Sequence, residues 1–251
     1  MRISRVFVPA AFEADQFLEV EGETSHYLKT VLRLRKGWKL LLFDGQGQEC
    51  PATIVSFGRD CTTLKLGPPT FVNRESPLKV RLAIGVSRGE RMDLAIQKAV
   101  ELGVHQITPV LTEFCVVRLD DEKKAVRLSH WERVIRSAME QCGRNQQPFL
   151  EPPVSLDDWL TSRDPFGQEF ILDPETTRSL NPEMPSPRKV TLLVGPEGGF
   201  SDQERDRAIT SGLQPLRMGP RILRTETAVI AGITAVQILW GDLGSPNNVN
   251  P

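Results

Sequence analysis

The amino-acid sequence predicts a two-domain α/β protein, with a small β-barrel at the N-terminus and a larger domain built on a parallel sheet. Short strand-like segments separated by turns fill the chain up to residue 66. A proline-rich stretch, residues 67–77, then interrupts the pattern. Beyond it, near-continuous apolar runs alternate with helical patterns, which is typical of parallel strands covered by helices on both faces. We therefore set the domains at residues 1–72 and 73–251.

Composition and charge narrow the class of protein. Hydrophobic residues make up 39% of the chain and charged residues 25%, which is typical of a globular protein with a real core. The net charge of −1 argues against a uniformly basic nucleic-acid binder, but a local basic face stays open. No apolar run is long enough to cross a membrane, and the N-terminus lacks the apolar segment of a signal peptide, so we expect a cytoplasmic protein. The four cysteines are widely spaced, so we expect free thiols and no metal site.

The N-terminal domain is expected to be mostly β. One helix is predicted over residues 23–34, because Tyr27, Leu28, Val31 and Leu32 follow helical spacing. Several short strands with one helix favour a small barrel. The strands are predicted at residues 5–8, 17–20, 38–44, 52–55 and 62–66.

The second domain alternates strands and helices. Ser129 and Ser201 each precede a glutamate by three residues, and this spacing predicts a capping box at the start of a helix. The helix over residues 228–240 is apolar on nearly every side, so it must be buried, in a subunit interface or in the core. Strands are predicted at residues 80–86, 106–110, 169–173, 190–194 and 216–218, and further helices at residues 91–102 and 129–142.

The strongest local signal is the loop of residues 195–199, Gly-Pro-Glu-Gly-Gly. It follows a buried strand and precedes a capped helix. Glycines let a ligand approach the backbone closely, and ligands of open α/β sheets bind beyond the C-terminal ends of the strands. The loop has neither dinucleotide-binding nor P-loop spacing. It therefore predicts a ligand site of another kind, with a simple tight turn as the alternative.

Two further segments carry candidate functional groups. Residues 218–228 join a strand to a helix that Thr225 is expected to cap, and Glu226 lies in the first turn, where the helix dipole favours a carboxylate. Residues 87–91 and 141–146 place guanidinium and amide groups near helix ends. Such groups suit phosphates and base edges, although a solvated charged surface is the alternative. The three histidines form no catalytic pattern.

Together these blocks resemble the bacterial ribosomal small-subunit RNA (uracil-N3) methyltransferase family of the SPOUT superfamily. The similarity lies in residues 195–199 and 223–228, and also in residues 5–8, 87–91, 97–103 and 140–145. The resemblance implies a PUA-like, RNA-binding N-terminal barrel and a C-terminal methyltransferase domain with a trefoil knot. It further implies S-adenosylmethionine as cofactor, a homodimer with the last helix at its interface, and a uridine of 16S ribosomal RNA, free or in the assembled small subunit, as substrate.

The resemblance also assigns residues. Nitrogen N3 of uracil must lose its proton before or during methyl transfer. Arg88, Arg91 and Arg224 are expected to stabilise the negative charge that develops, and Glu226 is preferred to Glu197 as the base because Glu197 is expected to shape its loop. RNA contacts are expected from Arg5, Lys98, Arg144 and Asn145. The cofactor is expected to contact Leu172, Val194, Gly195, Pro196, Glu197, Gly198, Gly199, Met218, Gly219, Ile222, Leu223, Thr225, Thr227 and Ala228.

Two other functions remain open at this point. The first is a ribose 2′-O-methyltransferase that acts on ribosomal or transfer RNA with the same scaffold. The second is a non-catalytic RNA-binding assembly factor. The family blocks argue against the first, and the intact glycine-containing loops argue against the second.

Overall fold

A computed structural model describes residues 3–116 and 120–244 of the chain. Its contacts divide the chain into two compact units: unit 1 is Met1–Glu75 with Met139–Gln147, and unit 2 is Ser76–Ala138 with Pro148–Pro251. The inclusion of Met139–Gln147 in unit 1 has no counterpart in the sequence pattern, because chain order does not report contacts between distant residues. None of the described helices is long and apolar enough to cross a membrane.

Unit 1 contains a six-stranded sheet with the order β1-β3-β4-β5-β2, and β6 pairs with β4. The pairing of β1 with β3 is parallel, and the others are antiparallel. Each strand predicted for this region is present. Closure into a barrel stays a prediction. The strands are β1 Ser4–Phe7, β2 Phe17–Glu21, β3 Lys39–Phe43, β4 Gln48–Phe57, β5 Cys61–Leu66 and β6 Thr70–Phe71.

The helical segment of unit 1 is shorter than the sequence predicted. Helix α1, Gly22–His26, continues as a π-helical turn, Tyr27–Val31, instead of reaching residue 34. Arg33 then adopts a left-handed backbone with φ of 52°, which ends the helical path. Leu28 is fully buried and anchors the segment in the apolar core of unit 1.

Unit 2 is built on a seven-stranded sheet in which every pairing is parallel. The order is β10-β8-β7-β12-β11-β13, and β9 pairs with β8. The predicted strands are confirmed, although β13 lies two residues earlier than predicted, and the two-residue strands β9 and β10 were not predicted. The strands are β7 Lys79–Gly85, β8 Val104–Leu111, β9 Phe149–Leu150, β10 Val154–Ser155, β11 Gln168–Leu172, β12 Lys189–Val194 and β13 Gln214–Leu216.

Five helices complete the described fold. The capping box of Ser201 with Glu204 is confirmed, since both of its hydrogen bonds are formed. The one predicted at Ser129 is wrong, because α3 begins eight residues earlier, at Asp121, and runs through Ser129 without interruption. Acidic side chains in the first turn of α3 suit the helix dipole there. The helices are α2 Glu90–Glu101, α3 Asp121–Cys142, α4 Leu156–Ser162, α5 Asp202–Thr210 and α6 Thr225–Trp240.

Candidate functional site

A cavity of about 240 Å³ lies in unit 2 at the C-terminal ends of β11, β12 and β13. Three segments wall it: residues 171–175 at the end of β11, residues 194–202 after β12, and residues 216–228 between β13 and the first turn of α6. These strands are neighbours in the sheet, so their loops emerge side by side. The cavity is therefore at the edge where open parallel sheets bind ligands.

The residues predicted to bind a cofactor gather around this cavity, with two exceptions. A Cβ atom on Gly198 would lie 2.7 Å from the Cβ of Phe114, so this glycine allows close packing against Phe114 and does not line the cavity. Thr227 is exposed on α6 and also lies outside the lining. The predicted residues that do line it are Leu172, Val194, Gly195, Pro196, Glu197, Gly199, Met218, Gly219, Ile222, Leu223, Thr225 and Ala228.

A charged cluster at the cavity was missed by the sequence reasoning. The Nε of Arg205 lies 2.8 Å from Oδ2 of the buried Asp173, and its Nη1 donates a 2.8 Å hydrogen bond to Glu175. The sequence does contain a signal for this cluster. Arg205 lies in the first turns of the predicted helix that follows the glycine loop, residues 195–199. The cluster joins α5 to the segment after β11.

Gly85 is a second residue that the sequence reasoning did not single out. A Cβ atom there would lie 2.3 Å from both the nitrogen and Cδ of Pro196. The last residue of β7 must therefore be glycine for the 195–199 loop to pass over it. This contact spans more than a hundred residues of chain, so no local pattern reports it.

Thr225 joins two of the segments that wall the cavity, residues 194–202 and residues 216–228, which we call the two cavity loops. Its hydroxyl donates a 3.0 Å hydrogen bond to the carbonyl oxygen of Gly195. The prediction that Thr225 caps α6 is wrong, because the N-cap residue is Arg224 and no side chain caps this helix. The hydroxyl of Thr225 is thus used to hold one loop against the other.

Glu197 is held by groups at the start of α2. Its Oε1 accepts hydrogen bonds from the backbone nitrogen of Arg88, at 3.2 Å, and from Nη1 of Arg91, at 3.3 Å. Burial opposes its ionisation, but hydrogen bonds from backbone amides, Ser87 and Arg91 outweigh burial and lower the pKa of Glu197 below its usual value. The contacts support a loop-shaping role for this carboxylate, and they occupy the guanidinium of Arg91.

Two other catalytic candidates, Arg224 and Glu226, form no ion pair among the described residues. Arg224 is exposed, and within residues 3–116 and 120–244 it forms no ion pair with Glu197 or Glu226. The Oε2 atom of Glu226 is buried without a hydrogen-bond partner among the described residues. A buried oxygen without a partner is costly, so this oxygen is a candidate to accept a hydrogen bond from a bound molecule.

The predicted RNA-contacting residues of unit 1 have internal roles. Glu49 accepts hydrogen bonds from Arg5, at 3.0 Å, and from Asn145, at 3.1 Å, while Arg144 pairs with Glu75 at 2.5 Å. All of these side chains are largely buried. They join residues 139–147 to the sheet of unit 1, so RNA could reach them only after these bonds were broken.

Lys98 is the other predicted RNA contact, and it lies in unit 2. It forms a 2.8 Å ion pair with Glu101 on α2 and is partly exposed. Its contact with RNA stays a prediction.

Comparisons with known proteins give concordant matches to both parts of the chain. A family model described as RNA methyltransferase domain matches residues 74–237, and one described as RNA methyltransferase PUA domain matches residues 20–60. The ribosomal RNA small subunit methyltransferase E of Buchnera aphidicola is 37% identical over 96% of this chain and 98% of its own length. The protein of the same name from Bacillus subtilis is 29% identical over 92% of this chain and 94% of its own length.

Solved structures give the same result over nearly the full chain. A putative methyltransferase from Legionella pneumophila, in complex with the cofactor SAM, is 40% identical with a TM-score of 0.91, covering 97% of this chain and all of that one. The ribosomal RNA small subunit methyltransferase E of Neisseria gonorrhoeae, bound to S-adenosyl methionine, is 34% identical with a TM-score of 0.88. The match covers 96% of this chain and all of that one.

Proposed function

The chain belongs to the ribosomal RNA small subunit methyltransferase E family, and from this premise we propose that it transfers a methyl group from S-adenosylmethionine to N3 of a uridine in small-subunit ribosomal RNA. The cavity at the ends of β11, β12 and β13 carries the proposal, because the predicted cofactor-binding residues surround it. The protein is a methyltransferase that works in the cytoplasm, on the RNA or on the assembled small subunit.

The residues around the cavity fit the cofactor. Close packing at Gly85 and Gly195 brings backbone to the cavity wall where side chains would stand in the way. An apolar surface for the adenine ring of the cofactor would come from Leu172, Leu216 and Met218. Polar groups for the amino-acid part of the cofactor would come from Asp173 and Arg205. When bound, the cofactor supplies a methyl group on a sulfonium cation.

The proton and the developing charge are assigned to residues that lie next in sequence to the cavity lining or contact Glu197. We assign Glu226 as the group that accepts the N3 proton, since its Oε2 has no partner among the described residues. Arg224, with Arg88 as a weaker candidate, stabilises the negative charge on the uracil oxygens. Arg91 acts on the reaction through Glu197, which it holds in place.

The test is methyl transfer by the purified protein to small subunits from cells that lack it, followed by mass spectrometry of the digested RNA. We expect one 3-methyluridine per subunit. A 2′-O-methylated nucleoside would instead identify the ribose-modifying alternative. Cofactor binding in calorimetry without any methyl transfer, to subunits or to free RNA, would favour the non-catalytic assembly factor.

We further propose the finer features of the fold that the family implies. Unit 1 is a closed PUA-like barrel, and unit 2 carries a trefoil knot at the cavity. Support for the knot comes from Thr225, whose bond to Gly195 brings the chain after β13 back to the loop that follows β12. An experimental structure with cofactor bound would trace both features.

A homodimer formed through α6 is also proposed. Ile238 and Leu243, on and just after this helix, are each 51% exposed, although α6 is otherwise apolar and largely covered. Ile238→Asp should convert the dimer to monomers in sedimentation at micromolar concentration. A stable wild-type monomer under the same conditions would contradict the dimer.

A further inference from the structure

Unit 1 presents an exposed, positively charged loop that runs into the first residue of β3. Between Glu23 and Asp44 the sequence has five cationic side chains and no carboxylate, although the whole chain has a net charge of −1. Most of this charge lies in residues 33–39, the basic loop, whose charged side chains are all exposed. Trp38, in the same loop, is 39% exposed. The cations of the basic loop are Arg33, Arg35, Lys36 and Lys39.

No described carboxylate pairs with the charges of the basic loop. Over the described part of the chain, the cations of the loop form no ion pair and no side-chain hydrogen bond. Arg5 and Arg74 of the same unit differ, since both are bound to Glu49. A cluster of exposed and unpaired cations attracts polyanions and releases their counterions on binding.

The backbone of the basic loop is held in one conformation. Leu34 is buried and its nitrogen donates to the carbonyl oxygen of Leu28, at 3.0 Å. The nitrogen of Trp38 donates to the carbonyl oxygen of Arg35 at 3.0 Å, and the carbonyl oxygen of Trp38 accepts from Ile54 of β4, also at 3.0 Å. An ordered loop loses little conformational entropy when it binds a partner.

We propose that the basic loop is the surface through which unit 1 binds single-stranded RNA, with phosphates on Arg33, Arg35 and Lys36 and an unpaired base stacked on Trp38. Cations that follow the backbone and an aromatic ring that stacks a base are the two components of single-strand recognition. The inference rests on the proposed function, which requires an RNA substrate. The loop takes the place of Arg5, Arg144 and Asn145, which are bound internally.

The electrostatic half of the proposal is tested with the triple variant Arg33→Ala, Arg35→Ala and Lys36→Ala. Its affinity for a fluorescein-labelled oligouridine is measured by anisotropy between about 50 and 200 mM salt. We expect at least about tenfold weaker binding at low salt, and a salt slope reduced by roughly 0.7 for each phosphate that the variant no longer neutralises. The control removes the same charge from α3, by Lys123→Ala, Lys124→Ala and Arg127→Ala, and should change both quantities little.

The stacking half is tested at Trp38 alone. Trp38→Leu keeps an apolar side chain but removes the ring, and should weaken oligouridine binding on the order of tenfold without changing the salt slope. Trp38→Phe keeps a ring and should recover most of the affinity. Equal losses for both variants would overturn the stacking contact.

The outcomes separate this inference from the proposed function. Calorimetry with S-adenosylmethionine should give the wild-type affinity for every loop variant, which shows that unit 2 is folded, and urea unfolding like that of the wild type shows the same for unit 1. Wild-type protein that binds cofactor but no oligouridine or ribosomal RNA would count against both the proposed function and the loop. Wild-type protein that binds RNA, with the loop triple and the α3 triple binding equally well, would overturn the basic loop alone.

Discussion

Glu49 in unit 1 and Glu197 in unit 2 are both carboxylates held by arginine, yet their surroundings differ. The side chain of Glu49 is 12% exposed, and it accepts hydrogen bonds from Arg5, Arg74 and Asn145. Glu197 lies at a glycine loop, and its ion-pair partner Arg91 is 49% exposed. Glu49 is the centre of a largely buried hydrogen-bond network, whereas Glu197 holds the loop of residues 195–199 beside the cavity. Arginine-rich segments alone do not distinguish these two uses; burial does.

The largest effect that follows from this difference is on stability. Glu49→Ala leaves the buried guanidinium of Arg5 without its ion-pair partner and removes one of the two acceptors of the Asn145 amide, and breaking a buried pair costs about 3–5 kcal/mol. Glu197→Ala should cost less, about 1 kcal/mol, because its partner Arg91 is half exposed and ion pairs that solvent reaches contribute little. Urea unfolding of both variants measures the contrast. Similar losses for the two would show that burial does not separate the two carboxylates.

Arg224 extends the comparison to an arginine whose side chain has no ion-pair partner in residues 3–116 and 120–244. A donor aimed at developing charge contributes about 2.7–4 kcal/mol to the transition state. Arg224→Ala should therefore lower turnover on the order of a hundredfold, while cofactor affinity stays within about threefold. Both are measured on one preparation, by single-turnover methylation and by calorimetry. A large loss of cofactor affinity with an unchanged rate at saturating cofactor would make Arg224 a structural residue.

The Glu49 network also predicts how stability depends on pH. Burial disfavours the charged form of Glu49, but its hydrogen bonds from Arg74, Arg5 and Asn145 outweigh burial and lower its pKa from 4.5 to about 2. A folded-state pKa below the unfolded value gives stability that is complete above pH 4.5 and is lost as the pH falls towards about 2. The shift corresponds to at most about 3 kcal/mol.

The measurement is the difference in unfolding free energy between the wild type and Glu49→Gln across this pH range. Burial raises the pKa of Glu140, which gives an opposite pH dependence, but that contribution is common to both proteins and cancels in the difference. The difference should shrink as the pH falls. A difference that stays constant from neutral pH to about pH 2 would contradict the low pKa of Glu49.

The same comparison shows what the sequence could and could not predict. Apolar runs predicted the strands of unit 2, because a strand buried on both faces leaves a local pattern. The glycine loop at residues 195–199 was also predicted, because its glycines are adjacent in the sequence and form a local pattern. The pairing of Arg144 with Glu75 and the packing of Gly85 on Pro196 join residues far apart in the chain. No local pattern reports such contacts, so the sequence does not show that Arg5 and Arg144 are held inside unit 1.

The smallest effect expected is at Thr225, whose hydroxyl is the link between the two cavity loops. Thr225 is buried and its Oγ1 donates to the carbonyl oxygen of Gly195 at 3.0 Å. Thr225→Val keeps the branched shape but removes the donor, which costs about 1 kcal/mol for a typical hydrogen bond. If the link positions the 195–199 loop for the cofactor, affinity in calorimetry should fall roughly fivefold.

Two variants make this small effect interpretable. Thr225→Ser keeps the donor and should retain most of the affinity, while Thr227→Val, on the exposed side of the same helical turn, should change nothing. The unfolding free energy of Thr225→Val should fall by a similar amount, since the hydrogen bond exists without cofactor. If stability falls but affinity does not, the two loops keep their positions without this bond, and the packing of Pro196 on Gly85 is what holds the cavity open.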